Sequence, residues 1–323
     1  MTNDERPPDR AEPLLPSPAP ARQRRQPLPW HRPKPAEEDP DALRRIKAIL
    51  ESPGYRLAEQ DQDFLQRDEA RSLRLEIEYL KAELFLQQRG IRHTIVVFGS
   101  TRIPEPEAAR RRVAASRQQC AGDPANQDLA RRLAVAERVL AKSRYYDIAR
   151  EFGRLVGTSC AGSAGIVVMT GGGPGIMEAA NRGAFDAGGA SAGLNINLPH
   201  EQYPNPYVTP DLCLRFHYFA LRKMHFLMRA KALVAFPGGY GTLDELFEVL
   251  TLVQTRKIAP MPIVLVGGRY WARAVDFDFL VDEGVIDPED RELFWFAETA
   301  RDAWDGILRW HRASGTPLDL GAR

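Results

Sequence analysis

Apolar positions along this chain follow two different periods. Between 41 and 90 they recur at helical spacing: Leu73, Ile77, Leu80 and Leu84 stand at i, i+4, i+7 and i+11, one stripe of an amphipathic helix. Glu76, Glu78, Lys81 and Glu83 lie off that stripe, so the stripe is expected to pack on the main domain or on a second subunit. From about 93 the pattern changes to short β-branched runs: "TIVVFGS" (94–100), "GIVVMT" (165–170), "SAGLNINLP" (191–199), "KALVAF" (231–236) and "PIVLVGG" (262–268). Near-continuous apolar strands alternating with helical stretches indicate a parallel sheet covered on both faces. The fold class is therefore α/β: a Rossmann-like, doubly wound parallel sheet with an N-terminal helical extension.

Composition divides the chain further. Residues 1–40 hold 11 of the 25 prolines together with many charges. Such a segment buries too little apolar surface to offset its ordering entropy, so 1–40 reads as a disordered Pro-rich tail. Residues 41–90 read as a helical arm, and 91–323 as the nucleotide-binding catalytic domain. Between the first two strands the Ala-, Arg-, Leu- and Glu-rich stretch from 103 is broken by "QQCAGDPANQD", which predicts a helical insertion at about 103–145.

Charge and cysteine usage exclude several classes. A net charge of +1 gives no global attraction to nucleic acid or to a membrane surface. Cys120, Cys160 and Cys213 form no CxxC pair, and none of the six histidines has H-x-x-H or H-E-x-x-H spacing, so neither a disulfide framework nor a metal site is expected. No apolar run approaches a membrane span and no apolar h-region follows the basic residues near the N-terminus, which fits a cytoplasmic protein.

Candidate chemistry lies in three glycine-bearing loops at the carboxyl ends of strands, where doubly wound sheets bind ligands. These are Gly99-Ser100-Thr101-Arg102, Thr170 to Gly175, and Pro237 to Thr242. Two of them run straight into helices, whose first amides suit an anion such as a phosphate. No GxxxxGK[ST] is present, so a P-loop is excluded. "TGGGPGIM" does not fit G-x-G-x-x-G, and no acidic ribose ligand follows at "LNINLP", which disfavours NAD.

Thr242 and Glu245 admit two readings. Thr242-Leu-Asp-Glu245 matches the T-x-x-E capping box, in which both side chains serve only the helix start. On the wheel Leu243, Leu246, Phe247 and Leu250 form the expected buried stripe, and Glu245 projects from the other side. There the helix dipole is expected to keep its carboxylate ionised near neutral pH, which would make it a base or a partner for a developing cation but a poor general acid. Upstream, Arg222 and Lys223 sit on a predicted helix among Phe216, Tyr218, Phe219 and Phe226, a setting suited to a phosphate or a purine. His217 is expected either to line this pocket or to sit satisfied in the core.

These residues resemble the LONELY GUY (LOG) family of nucleoside 5′-monophosphate phosphoribohydrolases, often labelled "possible lysine decarboxylase". The family motif P-G-G-x-G-T-x-x-E is met in full by Pro237 to Glu245, and its upstream Arg-Lys pair by Arg222 and Lys223. The likeness covers about 93–310, and the tail, arm and insertion make the chain look like the longer bacterial type. The resemblance implies hydrolysis of the N-glycosidic bond of AMP or of a cytokinin riboside 5′-monophosphate, giving free base and ribose 5-phosphate. It implies Arg222 and Glu245 as catalytic residues. Gly238, Gly239, Gly241 and Thr242 would hold the 5′-phosphate, with Gly99, Ser100, Gly172, Gly173, Lys223 and Thr251 also binding substrate. It implies no cofactor, and a homodimer or larger homo-oligomer.

Three other readings compete. The same fold could carry a nucleotide-like cofactor without cleaving it, although the presence of both Arg222 and Glu245 argues against that. A pyridoxal-phosphate decarboxylase would need a Schiff-base lysine with an acidic partner for the ring nitrogen. Lys223 and Lys231 are the nearest candidates, and no such constellation surrounds them. A purely structural protein is disfavoured by the three loops.

Overall fold

The computed structural model describes residues 26–28, 31–160, 165–199 and 203–320. Most of the expected tail, and His200 at the end of a strand run, lie outside these residues. Two compact units divide after Arg71, inside the stretch read from the sequence as one arm. The first unit carries the helix α1 (Ala42–Leu50), three single 3₁₀ turns and the short helix α2 (Gln62–Leu65), whose Asp61 carboxylate caps the Phe64 amide at 3.1 Å.

The division falls after the first residue of α3 (Arg71–Gln88), and the rest of that helix opens the second unit, followed by β1 (His93–Phe98). Next come α4 (Pro106–Gly122), α5 (Gln127–Lys142) and α6 (Arg144–Ser159), then β2 (Ile166–Thr170), α7 (Ile176–Asp186), β3 (Ser191–Ile196) and β4 (Cys213–Phe216). The chain continues through α8 (Phe219–Met228), β5 (Ala230–Ala235), α9 (Tyr240–Gln254), β6 (Ile263–Val266), α10 (Gly268–Ala274) and α11 (Phe277–Asp282). It ends on β7 (Trp295–Ala297) and α12 (Ala300–Ala313). The seven strands form one sheet in the order β4-β3-β2-β1-β5-β6-β7, every pair parallel. No helix among the described residues is long and apolar enough to cross a membrane.

Strand residues alternate between two apolar cores, as period-2 side chains require. Ile95, Val97, Val168, Val234 and Val264 pack with Tyr146, Phe152, Ala180 and Trp304 from α6, α7 and α12. Val96, Phe98, Met169, Leu194 and Leu233 pack on the other face with Leu86, Phe226, Leu246 and Val249 from α3, α8 and α9. Burial on both faces explains why these strands read as continuous apolar runs.

The order reverses direction between β1 and β5, the switch point where such sheets open a crevice. The loops after these two strands are laced together: Phe236 N donates to Phe98 O at 2.8 Å and Ser100 N to Pro237 O at 3.1 Å. The long link from β1 to β2 holds the α4–α5 hairpin, broken at 123–126 within "QQCAGDPANQD", and α6 then returns across the sheet.

Leu73, Ile77, Leu80 and Leu84 are each 45–56% exposed, so within this chain the stripe does not pack on the sheet and faces outward, as packing on a second subunit would require. The buried face of α3 carries Ala82, Glu83 and Leu86 instead. A carboxylate occupies that face because Arg229 meets it with a bidentate pair, Nη1 to Oε1 at 2.6 Å and Nη2 to Oε2 at 2.8 Å. The edge strands β4 and β7 are not announced by the apolar runs. They are four and three residues long, and Arg215 in β4 is exposed.

Candidate active site

Each glycine loop is shaped by a specific close approach. Gly172 has φ +69°, and a Cβ there would lie 2.4 Å from Asn195 Oδ1, so this turn after β2 requires glycine. At Gly238 a Cβ would lie 2.1 Å from Thr242 Oγ1, which shows how tightly the loop folds onto the first turn of α9. Leu243 N–H is the first amide of that helix to reach an intrahelical carbonyl, Gly239 O at 3.0 Å. The amides of Tyr240, Gly241 and Thr242 therefore precede the ladder, at the positive end of a helix of 15 residues.

The capping-box reading of Thr242 and Glu245 is not what forms. Gly239 is the N-cap and the helix starts at Tyr240, which puts Thr242 one turn inside, buried beneath Gly238. The inward stripe of α9 shifts accordingly to Thr242, Leu246, Val249 and Val253, while Phe247 is 37% exposed.

Glu245 lies on the flank of that stripe, and its side chain is 14% exposed. Arg222 of α8 meets it: Nη1 donates to Glu245 Oε1 at 3.2 Å, Nε donates to Leu194 O at 2.7 Å, and the guanidinium carbon sits 4.9 Å from the Phe226 ring centre. A Cβ on Gly171 would come within 2.6 Å of Arg222 Nη2, so the guanidinium also borders the loop after β2. Arg222 thus joins three elements: the end of β3, the glycine loop and the catalytic candidate on α9.

Burial governs the electrostatics of this pair. It pushes the Glu245 carboxyl up to about 7, against the pull of the Arg222 guanidinium. Burial also lowers Arg222 from its ordinary value, with Glu245 opposing, and the guanidinium stays charged. The sequence expectation of a carboxylate held ionised near neutral pH is corrected: desolvation outweighs the pull of the arginine. Near neutral pH both protonation states are populated, which suits a group that must accept or give a proton.

A buried polar network fixes the loop after β2, and the motif pattern does not reveal it. Gly172 N donates to Thr170 Oγ1 at 2.9 Å, and Thr170 Oγ1 donates to Asn181 Oδ1 at 2.7 Å. Asn205 Nδ2 donates to Gly173 O and to Asn181 Oδ1, both at 3.0 Å, while Asn205 N donates to Gly172 O at 2.8 Å. Thr170, Asn181 and Asn205 are all buried. The available signal was an amide inside the small-residue helix "MEAANRGA"; Asn205 comes from a distant loop and gave none.

The crevice therefore gathers Gly99, Ser100, Gly172, Gly173, Gly238, Gly239, Thr242, Arg222 and Glu245 at one edge of the sheet. Gly241 sits beside them, exposed, in the first turn of α9. Two other candidates are placed differently. Lys223 Nζ pairs with Asp244 at 3.0 Å and Glu248 at 3.1 Å, on another face of α9. Thr251 follows on that same face and donates its hydroxyl to Phe247 O at 2.7 Å. His217 is exposed rather than in the core or on a pocket wall, and its amide donates to Glu78 Oε2 at 2.8 Å. Among the described residues no group of three or more His, Cys, Asp or Glu side chains is placed to hold a metal ion.

Comparison with known proteins adds to this geometry. A family model described as "Possible lysine decarboxylase" matches residues 177–307, which include Arg222, the Pro237–Thr242 loop and Glu245. The probable cytokinin riboside 5′-monophosphate phosphoribohydrolase LOGL5 of Oryza sativa subsp. japonica is 34% identical over 139 residues, 42% of this chain and 55% of that protein. The cytokinin riboside 5′-monophosphate phosphoribohydrolase LOG of the same plant is 32% identical over 166 residues, 50% of this chain and 65% of that protein. The chain thus spans about half to two thirds of the length of these relatives. Among solved structures, a molybdenum cofactor carrier protein from Chlamydomonas reinhardtii is 20% identical with a TM-score of 0.39, covering 68% of this chain and 97% of that one. The resemblance to the LOG family carried by the P-G-G-x-G-T-x-x-E motif is therefore found again in the curated relatives and in the family model.

Proposed function

We propose that this chain hydrolyses the N-glycosidic bond of a purine nucleoside 5′-monophosphate, AMP or a cytokinin riboside 5′-monophosphate, to free base and ribose 5-phosphate. The observation that carries this reading is the enclosed Arg222–Glu245 pair beside two phosphate-suited loops. The 5′-phosphate binds at the amides opening α9 and at the Gly171–Gly173 turn, which anchors the ribose and positions C1′. As the C1′–N bond breaks, its electron pair leaves with the base and C1′ gains oxocarbenium character. The Glu245 carboxylate stabilises that charge and accepts the proton of the attacking water as the new C1′–O bond forms. Arg222 holds the carboxylate in place and faces the negative charge growing on the departing base.

A lysine-based decarboxylase fits the residues less well. A Schiff-base lysine needs a depressed ammonium pKa. Burial acts in that direction on Lys223, but Asp244 and Glu248 hold its ammonium above the ordinary value. Lys231 sits at the start of β5, on the opposite edge of the sheet from the crevice.

The proposal includes a homodimer or larger homo-oligomer, for which the exposed stripe on α3 offers a surface. Incubating the purified protein with AMP, and separately with its N6-isopentenyl analogue, and separating the products by chromatography tests the activity. Free base and ribose 5-phosphate from either sample support it. No base from either overturns it.

A further inference from the structure

The groove between the end of α5, the start of α6 and α10 is strongly basic. It has a volume of about 710 Å³ and is lined by Arg138, Lys142, Arg144, Arg269 and Arg273, with Tyr270 on its wall and no acidic residue. That volume lies within the range of ligand pockets, roughly 300–1,000 Å³.

Several arginines of α4 and α6 are neutralised by neighbours. Arg110 pairs with Glu107 at 2.7 Å, Arg117 with Glu137 at 2.8 Å, Arg150 with Asp186 at 2.6 Å and Arg154 with Glu151 at 2.7 Å. None of the five groove cations has a carboxylate of a described residue within ion-pair distance. Three make only neutral contacts: Arg138 Nε donates to Ala134 O at 3.1 Å, Lys142 Nζ to Arg138 O at 3.3 Å, and Arg144 Nη2 to the Tyr145 hydroxyl at 3.0 Å. Glu298, which attracts Arg144 from a distance, is engaged by the Gly268 amide at 2.8 Å. Five like charges around one concavity repel each other, and the groove focuses their field.

Four of the five are arginines, whose planar forks match phosphate oxygens. A single phosphate would neutralise only part of this charge, whereas a chain of phosphates would meet all five. The groove also adjoins the crevice, because the Tyr270 hydroxyl donates to Gly238 O in the phosphate loop. We propose that the α5–α6–α10 groove is a second anion site, separate from the catalytic crevice, that binds an oligophosphate, either free or borne by a nucleotide.

The test is equilibrium titration of the full chain with inorganic tripolyphosphate and, in parallel, with ATP. Three proteins are compared: the wild type, the double charge reversal Arg269→Glu/Arg273→Glu, and a control with the same net charge, Arg309→Glu/Arg312→Glu on α12. Circular dichroism melts confirm that each is folded. Each lost charge-assisted hydrogen bond corresponds to about tenfold in affinity. The groove reversal is therefore expected to weaken binding at least about tenfold while the control stays near wild type. The tighter of the two probes then identifies a free or a nucleotide-borne chain. Equal affinity of wild type and groove reversal overturns the proposal, as does an equal loss in the control. Tighter binding per phosphate of a short single-stranded RNA overturns the small-anion reading. No arm requires hydrolysis, so failure here and failure of the proposed activity are distinguishable.

Discussion

Arg222 Nη1 lies 3.2 Å from Glu245 Oε1, and the same guanidinium is tethered through Nε to Leu194 O at 2.7 Å. The carboxylate is thus positioned through β3 as well as by its own helix. Removing the guanidinium should both disorder and further neutralise Glu245. Arg222→Ala is expected to lower kcat/KM for AMP by about 10²–10³. The rising limb of its pH–rate profile should move to higher pH, because the largest charge opposing desolvation is gone and only the weaker pull of Lys223 is left. Pre-steady-state and steady-state profiles of the two proteins check this; an unmoved limb contradicts it.

The raised pKa of Glu245 also sets a pH dependence of stability. An unfolded glutamate titrates at about 4.3, and the folded carboxyl at about 7. Between those values the folded chain holds a proton that the unfolded chain has released. Stability from this group therefore falls as pH rises from about 4.3 to about 7 and is level above. Glu245→Gln cannot titrate, so its melting temperature relative to wild type should climb through that window. Thermal melts across the range decide, and a pH-independent difference is the contrary result.

The loop after β2 depends on amide side chains that touch no substrate in this account. Asn205→Ala removes donors to Gly173 O and Asn181 Oδ1 and leaves both acceptors buried. A stability loss of about 1–3 kcal/mol is expected. If Asn205 positions the phosphate-binding turn, KM for AMP should rise more than kcat falls. An unchanged KM in the folded variant would limit Asn205 to a structural part.

Beneath α3, Glu83 and Arg229 form a bidentate pair, each side chain 12–13% exposed. Glu83→Ala leaves the arginine enclosed without its partner, and His225 Nε2, 3.5 Å from Glu83 Oε1, loses its nearest carboxylate as well. Urea unfolding should show a loss of about 3–5 kcal/mol. The Arg229 hydrogen bond holds the Glu83 carboxyl below its ordinary value, so in the wild type this contribution fades as acid protonates it.

The sheet was legible in the sequence because its five inner strands are buried on both faces and read as apolar runs. β4 and β7 were not, since edge strands of three or four residues with exposed members carry no distinctive period. The three glycine loops were legible as tight turns at the carboxyl ends of strands, and Gly172 and Gly238 do sit at close approaches there. Glu245 was legible as a candidate, but its environment was not. The T-x-x-E pattern suggested a cap at Thr242, whereas the helix is capped at Gly239, three residues earlier. The pKa near neutrality arises from burial of the carboxylate beside Arg222, 23 residues away in the chain, which is itself tethered to Leu194 a further 28 residues away. Glu83 was hidden for the same reason, because only Arg229, distant in sequence, makes its burial tolerable.

The central claim is that the Glu245 carboxylate carries N-glycosidic cleavage. It is tested most directly by comparing adenine release from saturating AMP by wild type and by Glu245→Gln, which keeps the shape and the hydrogen bond to Arg222. The account predicts turnover lower by about 10²–10⁴ in the variant. Near-normal turnover by Glu245→Gln would contradict it.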